Sequence, residues 1–345
     1  MPLPPLPLDP AGRLFFSATF LEMPCDQERA YYFLNQRVGA KTIALDFGSM
    51  LHLGLEMWYR QKEFNTPASE VLAKISRVLE VGFAKIELPD GDGRTLNRAQ
   101  EILEHYVAKY ENEQEKPLLF DQPFPCKQCQ EAPTEPCEWC NNTRQTRLMS
   151  ETSFAKHLFT YSAPDQEISI FFRGFIDLIV QTPEGLFTLD FKSGSQVAKS
   201  FWNALRLSSQ QKGYVWVAQH LLGTAFGGYI IRALRTTDVP QYVRDGMLSR
   251  KGTSKTSEKW WDETLQEQKF YLFPDMLAEW EKNAKMVITN FLNSYFAGEF
   301  VRNFSCCERK NHTCAYAEVC STFPIEAREM VLQSGLFKQK EKPKK

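Results

Sequence analysis

Several things are missing from this chain, and each absence removes a class of protein. No apolar run approaches the roughly 20 residues that cross a bilayer, so no membrane-spanning helix is expected. The opening residues MPLPPLPLDPAGR lack a basic stretch followed by a long apolar core, so no secretory signal is read there. The phosphate-loop pattern G-x-x-x-x-G-K-[ST] does not occur, which excludes that nucleotide-driven motor from this chain. Neither G-x-S-x-G nor H-E-x-x-H is present, which excludes the hydrolase elbow and the helical zinc-protease site. Net charge is scarce too. At −1 it supplies no global basic field, so any nucleic-acid role must come from local features. No internal repeat is found.

What the chain has is apolar and aromatic residues, 43% and 13% of its 345 residues, enough for a substantial core. There is no obvious linker, so residues 1–345 read as one large domain. The final KQKEKPKK is basic, and 338–345 is expected to be a disordered tail.

Cysteine is plentiful. Nine fall into three groups: Cys25, then Cys126, Cys129, Cys137 and Cys140, then Cys306, Cys307, Cys314 and Cys320. In a cytosolic chain thiols stay reduced, so clusters read as metal ligands rather than disulfides. The middle group is C-x2-C-x7-C-x2-C, and two C-x2-C knuckles can close a tetrahedral thiolate cage around structural Zn²⁺. Its surroundings, about 121–147, are too polar to bury a core, so metal would supply the folding energy of this insertion. An iron–sulfur site and four free thiols are the alternatives there.

The chemistry-bearing stretch is GFID (174–177) followed by DFK (190–192). FRGFIDLIV and LFTLDFKSG read as two strands joined by a turn at Pro183–Gly185. Residues alternate along a strand, so Asp190 and Lys192 share a face, with Asp177 able to sit across from them. Two carboxylates and an ammonium at the end of a hairpin can hold Mg²⁺ or Mn²⁺ beside an oriented water.

These segments resemble the PD-(D/E)XK nuclease superfamily, and within it the RecB-like branch, at five places in the right order. DFGSMLHLGLE is similar to the first motif, with His52 following Gly48 on a helix. RLMSETSF brings Glu151 at a strand opening, GFID and DFKSG match the central motifs, and Gln210 with Tyr214 fits the Q-x-x-x-Y helix. The resemblance covers about residues 14 to 322. It implies an α/β fold with a restriction-endonuclease-like sheet flanked by helices. It also implies that His52, Asp177, Asp190 and the Phe191 carbonyl hold the divalent ion, with Glu151 assisting. Lys192 would position or deprotonate the attacking water, and Gln210 and Tyr214 would contact the nucleic-acid backbone or the acids. Histidine among the ligands leans towards Mn²⁺.

Several nucleases of this branch carry a C-terminal cysteine triplet that pairs with one distant N-terminal cysteine to hold a 4Fe–4S cluster. Here that implies Cys25, Cys307, Cys314 and Cys320, with Cys306 the alternative to Cys307, stapling the two ends of the domain. Pro24 precedes Cys25, where the family has a proline after it. A zinc site that could recruit His312 is the competing reading.

The implied activity is a metal-dependent DNA nuclease, an exonuclease on single-stranded or end-processed DNA in recombination or repair. Its setting would be the cytoplasm of a bacterial or phage-infected cell, alongside a separate helicase, recombinase or single-strand-binding protein. A phage or bacterial exonuclease and a CRISPR-associated relative both fit these motifs. The competing class is a non-catalytic DNA-binding or assembly module of a recombination or CRISPR-adaptation complex.

The stretch 241–262 adds Arg250, Lys251 and Lys255, with Trp260 closing it. A basic loop ending in aromatics can grip a single strand, and tryptophans packed in the core are the alternative. Apolar spacing further predicts helices over 14–37, 46–63, 68–88, 99–113 and 206–222. It predicts strands over 148–160, 168–181, 185–193 and GGYIIRALR, then one long helix from Leu265 interrupted near Pro274.

Overall fold

The first regular element is a strand, not the helix expected over 14–37. In this computed structural model Arg13–Ser17 (β1) buries Leu14 and Phe16 and pairs in parallel with a later strand. The helical stretch follows in two pieces, Ala18–Glu22 (α1) and Asp26–Phe33 (α2), with Met23 extended between them. Pro24 explains the break: it lacks an N–H and drives the preceding residue out of helical geometry. The structure describes residues 3–34, 37–39, 43–89, 91–126, 129–130, 137, 139–141, 143, 145–148, 150–237, 257–309, 312–322, 327–333 and 337–339.

After the short strand Arg37–Gly39 (β2) come three helices, Ile43–Glu63 (α3), Ala68–Phe83 (α4) and Leu96–Tyr110 (α5). Each has its apolar residues at helical spacing, and Thr95 caps α5 by accepting from the Arg98 backbone N–H. Lys116–Pro117 (β3) leads to Leu119–Pro125 (β4), which pairs with Gln145–Leu148 (β5) and brackets the four-cysteine segment. Ser150–Ser162 (β6), Glu167–Thr182 (β7) and Gly185–Gly194 (β8) form the long antiparallel meander read from the sequence.

The helix expected over 206–222 is two, Lys199–Leu207 (α6) and Ser209–Leu222 (α7), because Ser208 turns extended and its hydroxyl caps α7. Phe226–Arg235 (β9) runs parallel to β8. Beyond Ser257–Thr264 (α8), the expected long helix is corrected. Leu265–Tyr271 (β10) is an antiparallel strand on β9, and the helix Pro274–Ala297 (α9) starts at the proline. A strand edge was available to satisfy the LQEQKFY backbone, and proline fits a helix's first turn where its missing N–H costs nothing. The end of the chain forms Glu308–Arg309 (β11), His312–Thr313 (β12), Ala317–Ser321 (α10), Arg328–Leu332 (α11) and Phe337–Gln339 (β13). β13 pairs with β2, so Lys338 and Gln339 of the expected tail lie in a strand; 340–345 lie outside the described residues.

The central sheet runs β1-β7-β8-β9-β10, with β6 and β3 also on β7. β7 is the hinge of the arrangement. Its first half pairs with β1 at Ser169–Arg173 and its second half with β8 at Leu178–Thr182. One face of the sheet packs α3, α4 and α5 against Leu178, Val180, Phe187, Leu189 and Phe191. The other packs α1, α7 and α9 against Ile170 and Phe172, with Trp280 and Phe291 at its centre. Each such side chain contributes about 1.5–3 kcal/mol on burial, so the two layers hold the sheet rigid between them. This is a mixed α/β architecture with a helix-flanked central sheet, as a restriction-endonuclease-like fold requires.

One feature of the α3–α5 layer was not legible in sequence. Arg232 is 1% exposed, yet its guanidinium meets Glu267 at 2.6 Å, lies 3.9 Å above the Tyr110 ring, and donates to Tyr106. Glu113 joins the same network and also holds Lys62 at 2.6 Å. A buried charge survives only when paired and hydrogen-bonded in this way.

Candidate metal-dependent active site

Three strands and one helix build the site. The β6–β7 register pairs Ser150 with Leu178 and Thr152 with Ile176, which sets Glu151 opposite Asp177. The β7–β8 register pairs Leu178 with Leu189, which sets Asp190 next to Asp177 on the other side. Asp177 therefore stands where β7 leaves β1 and takes up β8, between two other acids. Helix α3 lies over this row and lowers His52 onto it. The close approach depends on Gly48, one turn earlier, where an added Cβ would sit 2.7 Å from Ser193 Oγ.

The distances define two sub-clusters. His52 Nδ1 is 3.6 Å from Glu151 Oε1 and 3.5 Å from Asp177 Oδ2, and one ligand atom from each of the three lies within 4.8 Å of the others. Asp190 turns instead to Lys192, whose Nζ is 2.8 Å from Asp190 Oδ2. Lys192 also donates to Gln210 Oε1 at 3.2 Å, and the Gln210 amide donates to Tyr214 OH at 3.0 Å. The Q-x-x-x-Y pair thus braces the lysine. Asp177 Oδ2 accepts the Phe191 backbone N–H at 3.0 Å, while the Phe191 ring is buried beneath His52 and Tyr59. Gly174 allows β7 to pass under Tyr214, since a Cβ there would lie 2.9 Å from that ring and from Phe154.

Glu151 comes within ligand distance of His52 and Asp177, closer than its expected assisting part suggested, while the carboxylate of the neighbouring Asp190 is engaged by Lys192. Glu151 has φ +48, a left-handed conformation uncommon for a residue with a side chain. Such strain persists where the surroundings enforce it. No sequence pattern signals it. Glu56, one turn beyond His52, lines the same cavity of about 640 Å³, but its carboxylate is held by Arg60 at 2.7 Å.

Electrostatics follow from crowding. Burial and the neighbouring Asp190 push Asp177 up to about 7. Burial pulls His52 down, but Glu151, Asp177 and Asp190 outweigh it and carry the imidazole to about 9. Burial likewise opposes the Lys192 charge, and Asp190 with Asp177 overcomes it, so the lysine stays an ammonium. A carboxyl group that holds its proton this tightly marks a site short of positive charge. An imidazole nitrogen and carboxylate oxygens suit Mn²⁺ or Mg²⁺, and the residues present fit such an ion.

The other expected sites divide. Cys126, Cys129, Cys137 and Cys140 bring their sulfurs within 4.8 Å of one another, a ligand cage whose metal the geometry does not name. This segment is docked on the helices. Asn141 Oδ1 accepts from Lys74 at 2.7 Å, Trp139 lies under the Arg60 guanidinium, and Arg147 N and Thr146 hold Glu63 of α3. Cys25, Cys307, Cys314 and Cys320 are neighbours in a looser arrangement. Burial pushes the Cys320 thiol up, with Cys307 and Cys25 adding to it, and Cys314 N donates to Cys307 O at 2.8 Å. Cys306 Sγ points to the Asn303 carbonyl, 2.8 Å away. The expected DNA loop is corrected in one part: Trp260 is 4% exposed under the Arg235 guanidinium, so it is core rather than a stacking platform. Arg250, Lys251 and Lys255 lie outside the described residues.

A row of acids on adjacent strands, a histidine over it and a paired lysine define a class: hydrolases that assemble a divalent cation beside a fixed ammonium. The chain matches the PD-(D/E)XK nuclease superfamily over residues 16–321 and belongs to it, which makes it a metal-dependent nuclease by family. No curated protein matches the chain. Among the described residues no helix is long and apolar enough to cross a membrane.

Proposed function

We propose that the chain is a single-domain DNA exonuclease of the RecB-like branch, acting on single-stranded or end-processed DNA in recombination or repair. The observation that carries the catalytic part is the convergence of His52, Glu151 and Asp177 within ligand distance, next to the Asp190–Lys192 pair. His52, Glu151 and Asp177 would hold the ion, with Asp190 and the Phe191 carbonyl completing its surroundings. A bound Mg²⁺ or Mn²⁺ supplies a Lewis acid for the phosphate and lowers the pKa of a water. Lys192, kept charged by Asp190, orients that water and stabilises charge growing on the phosphate oxygens. Gln210 holds the lysine in place and Tyr214 holds Gln210.

The four close thiols are assigned to structural Zn²⁺, which paired C-x2-C knuckles favour. Cys25, Cys307, Cys314 and Cys320 are assigned to a 4Fe–4S cluster, and the place of Cys307 beside both Cys314 and Cys320 supports it as the ligand. A separately encoded helicase, recombinase or single-strand-binding protein would present the DNA ends, in the cytoplasm of a bacterial or phage-infected cell.

The test is cleavage of end-labelled single- and double-stranded DNA by anaerobically purified protein with Mn²⁺, Mg²⁺ or EDTA. Metal-dependent loss of label progressing from one end is the expected result and gives the polarity. Binding without cleavage under every metal would replace this reading with an assembly module.

A further inference from the structure

The first half of β7 has two faces of opposite character. Ile168, Ile170 and Phe172 are fully buried under the helices of one layer. The alternate residues Phe171, Arg173 and Phe175 point the other way, and they are half-exposed or exposed. The registers extend this outward strip across three strands. Phe171 stands beside Phe15 of β1 and His157 of β6, and Arg173 and Phe175 stand beside Ala155 and Ser153, both exposed.

The strip is aromatic and cationic. The Phe15 and Phe171 rings are 5.5 Å apart, His157 meets Phe171 edge-on at 5.4 Å, and the Arg13 guanidinium sits over both phenyl rings at 5.5 and 5.6 Å. Arg173 lies 5.7 Å from the Phe15 ring. Arg13 is also paired with Asp9 at 2.6 Å, whereas no carboxylate pairs with Arg173 among the described residues. The strip is continuous with the candidate active site. Phe175 is 52% exposed and lines the same cavity as His52, Glu151 and Lys192, two residues before Asp177.

Isolated apolar side chains at a surface need no explanation, whereas contiguous partly exposed ones mark interaction sites. Here they are grouped, interleaved with guanidinium groups and aimed at a carboxylate row. Base faces stack on such rings while phosphates meet the cations, which is how sequence-tolerant single-strand binding is built. Same-face residues on a strand repeat at about 7 Å, so Phe171, Arg173 and Phe175 form a graded path rather than one pocket.

We propose that Phe15, Phe171, Arg173 and Phe175 form a track for single-stranded DNA that leads an unpaired end into the metal site. This rests on the nuclease reading for the destination of the strand, but the track itself is a binding surface. Duplex is a poor occupant because its bases are stacked on each other and offer no faces.

The test separates the two. Binding of a fluorescently labelled single-stranded oligodeoxynucleotide is measured by anisotropy in EDTA, where no cleavage occurs. Phe171→Ala, Phe175→Ala and Arg173→Gln are each expected to weaken it roughly 10-fold or more, with Phe171→Trp restoring the stacking loss. An oligonucleotide lacking bases should bind the wild type weakly and be indifferent to Phe171→Ala. Wild-type affinity in all three variants, with folding verified by circular dichroism, would overturn the track, as would a wild type that binds no single strand. Track variants that lose binding in a protein that never cleaves would remove the nuclease reading and leave the track standing.

Discussion

Lys192 Nζ and Asp190 Oδ2 are 2.8 Å apart on one strand face, with the lysine's remaining reach taken by Gln210. The ammonium is therefore held charged and aimed before any substrate arrives. Lys192→Ala should lower cleavage by at least about 100-fold, the scale of a lost catalytic group, while single-strand binding in EDTA persists. A fully active variant would take the lysine out of the mechanism.

Metal binding should be pH-dependent with a defined sign. Asp177 titrates at about 7 and His52 at about 9 in the metal-free protein. A cation needs the carboxylate ionised and the imidazole neutral, so binding expels protons from both. Mn²⁺ affinity should therefore rise as pH climbs from 6 to 9, with proton release visible by calorimetry in buffers of different ionisation enthalpy. Affinity that stays flat over that range would contradict the assignment of His52 and Asp177 as ligands.

The two cysteine groups should separate experimentally. Cys137→Ser is expected to cost bound zinc, measured by elemental analysis, and to weaken Mn²⁺ binding, because the four-cysteine segment is docked through Glu63 and Arg60 on the helix that carries His52. Cys320→Ser should instead remove visible absorbance. Colour that survives in Cys320→Ser would end the iron–sulfur assignment.

Gly213→Ala tests the wall behind the Gln210–Tyr214 pair. Alanine gains up to about 1 kcal/mol of helix propensity over glycine. The new Cβ would sit 2.6 Å from the Trp280 ring and 2.7 Å from Phe172, both buried, and overpacking costs about 1–3 kcal/mol. The clash should win, lowering the melting temperature. A higher melting temperature would mean the two rings can retreat.

The hairpin carrying Asp177, Asp190 and Lys192 was legible because period-two alternation and a turn are local facts. So was α3, whose glycine and histidine share a helical face. The N-terminal strand and β10 depart from the helices expected there for one reason. FFSATF and QKFYLF are short apolar runs that fit either period, and a free sheet edge decided between them. Trp260 looked like a stacking residue because a sequence gives no burial. Glu151's placement goes with a left-handed backbone that no local pattern signals, and Arg232's network joins Glu267 to Glu113, which lies more than a hundred residues away in the chain.

By itself, then, the sequence determined which residue types stand at which face of which strand, and with them the superfamily. Only tertiary structure decided that Glu151 comes within ligand distance of His52 and Asp177 while Asp190 pairs with Lys192. It also decided that one half of β7 is covered by helices on a single side. Both outcomes turn on strand register and on where α3 rests, and these follow from packing whole elements against each other rather than from any local pattern.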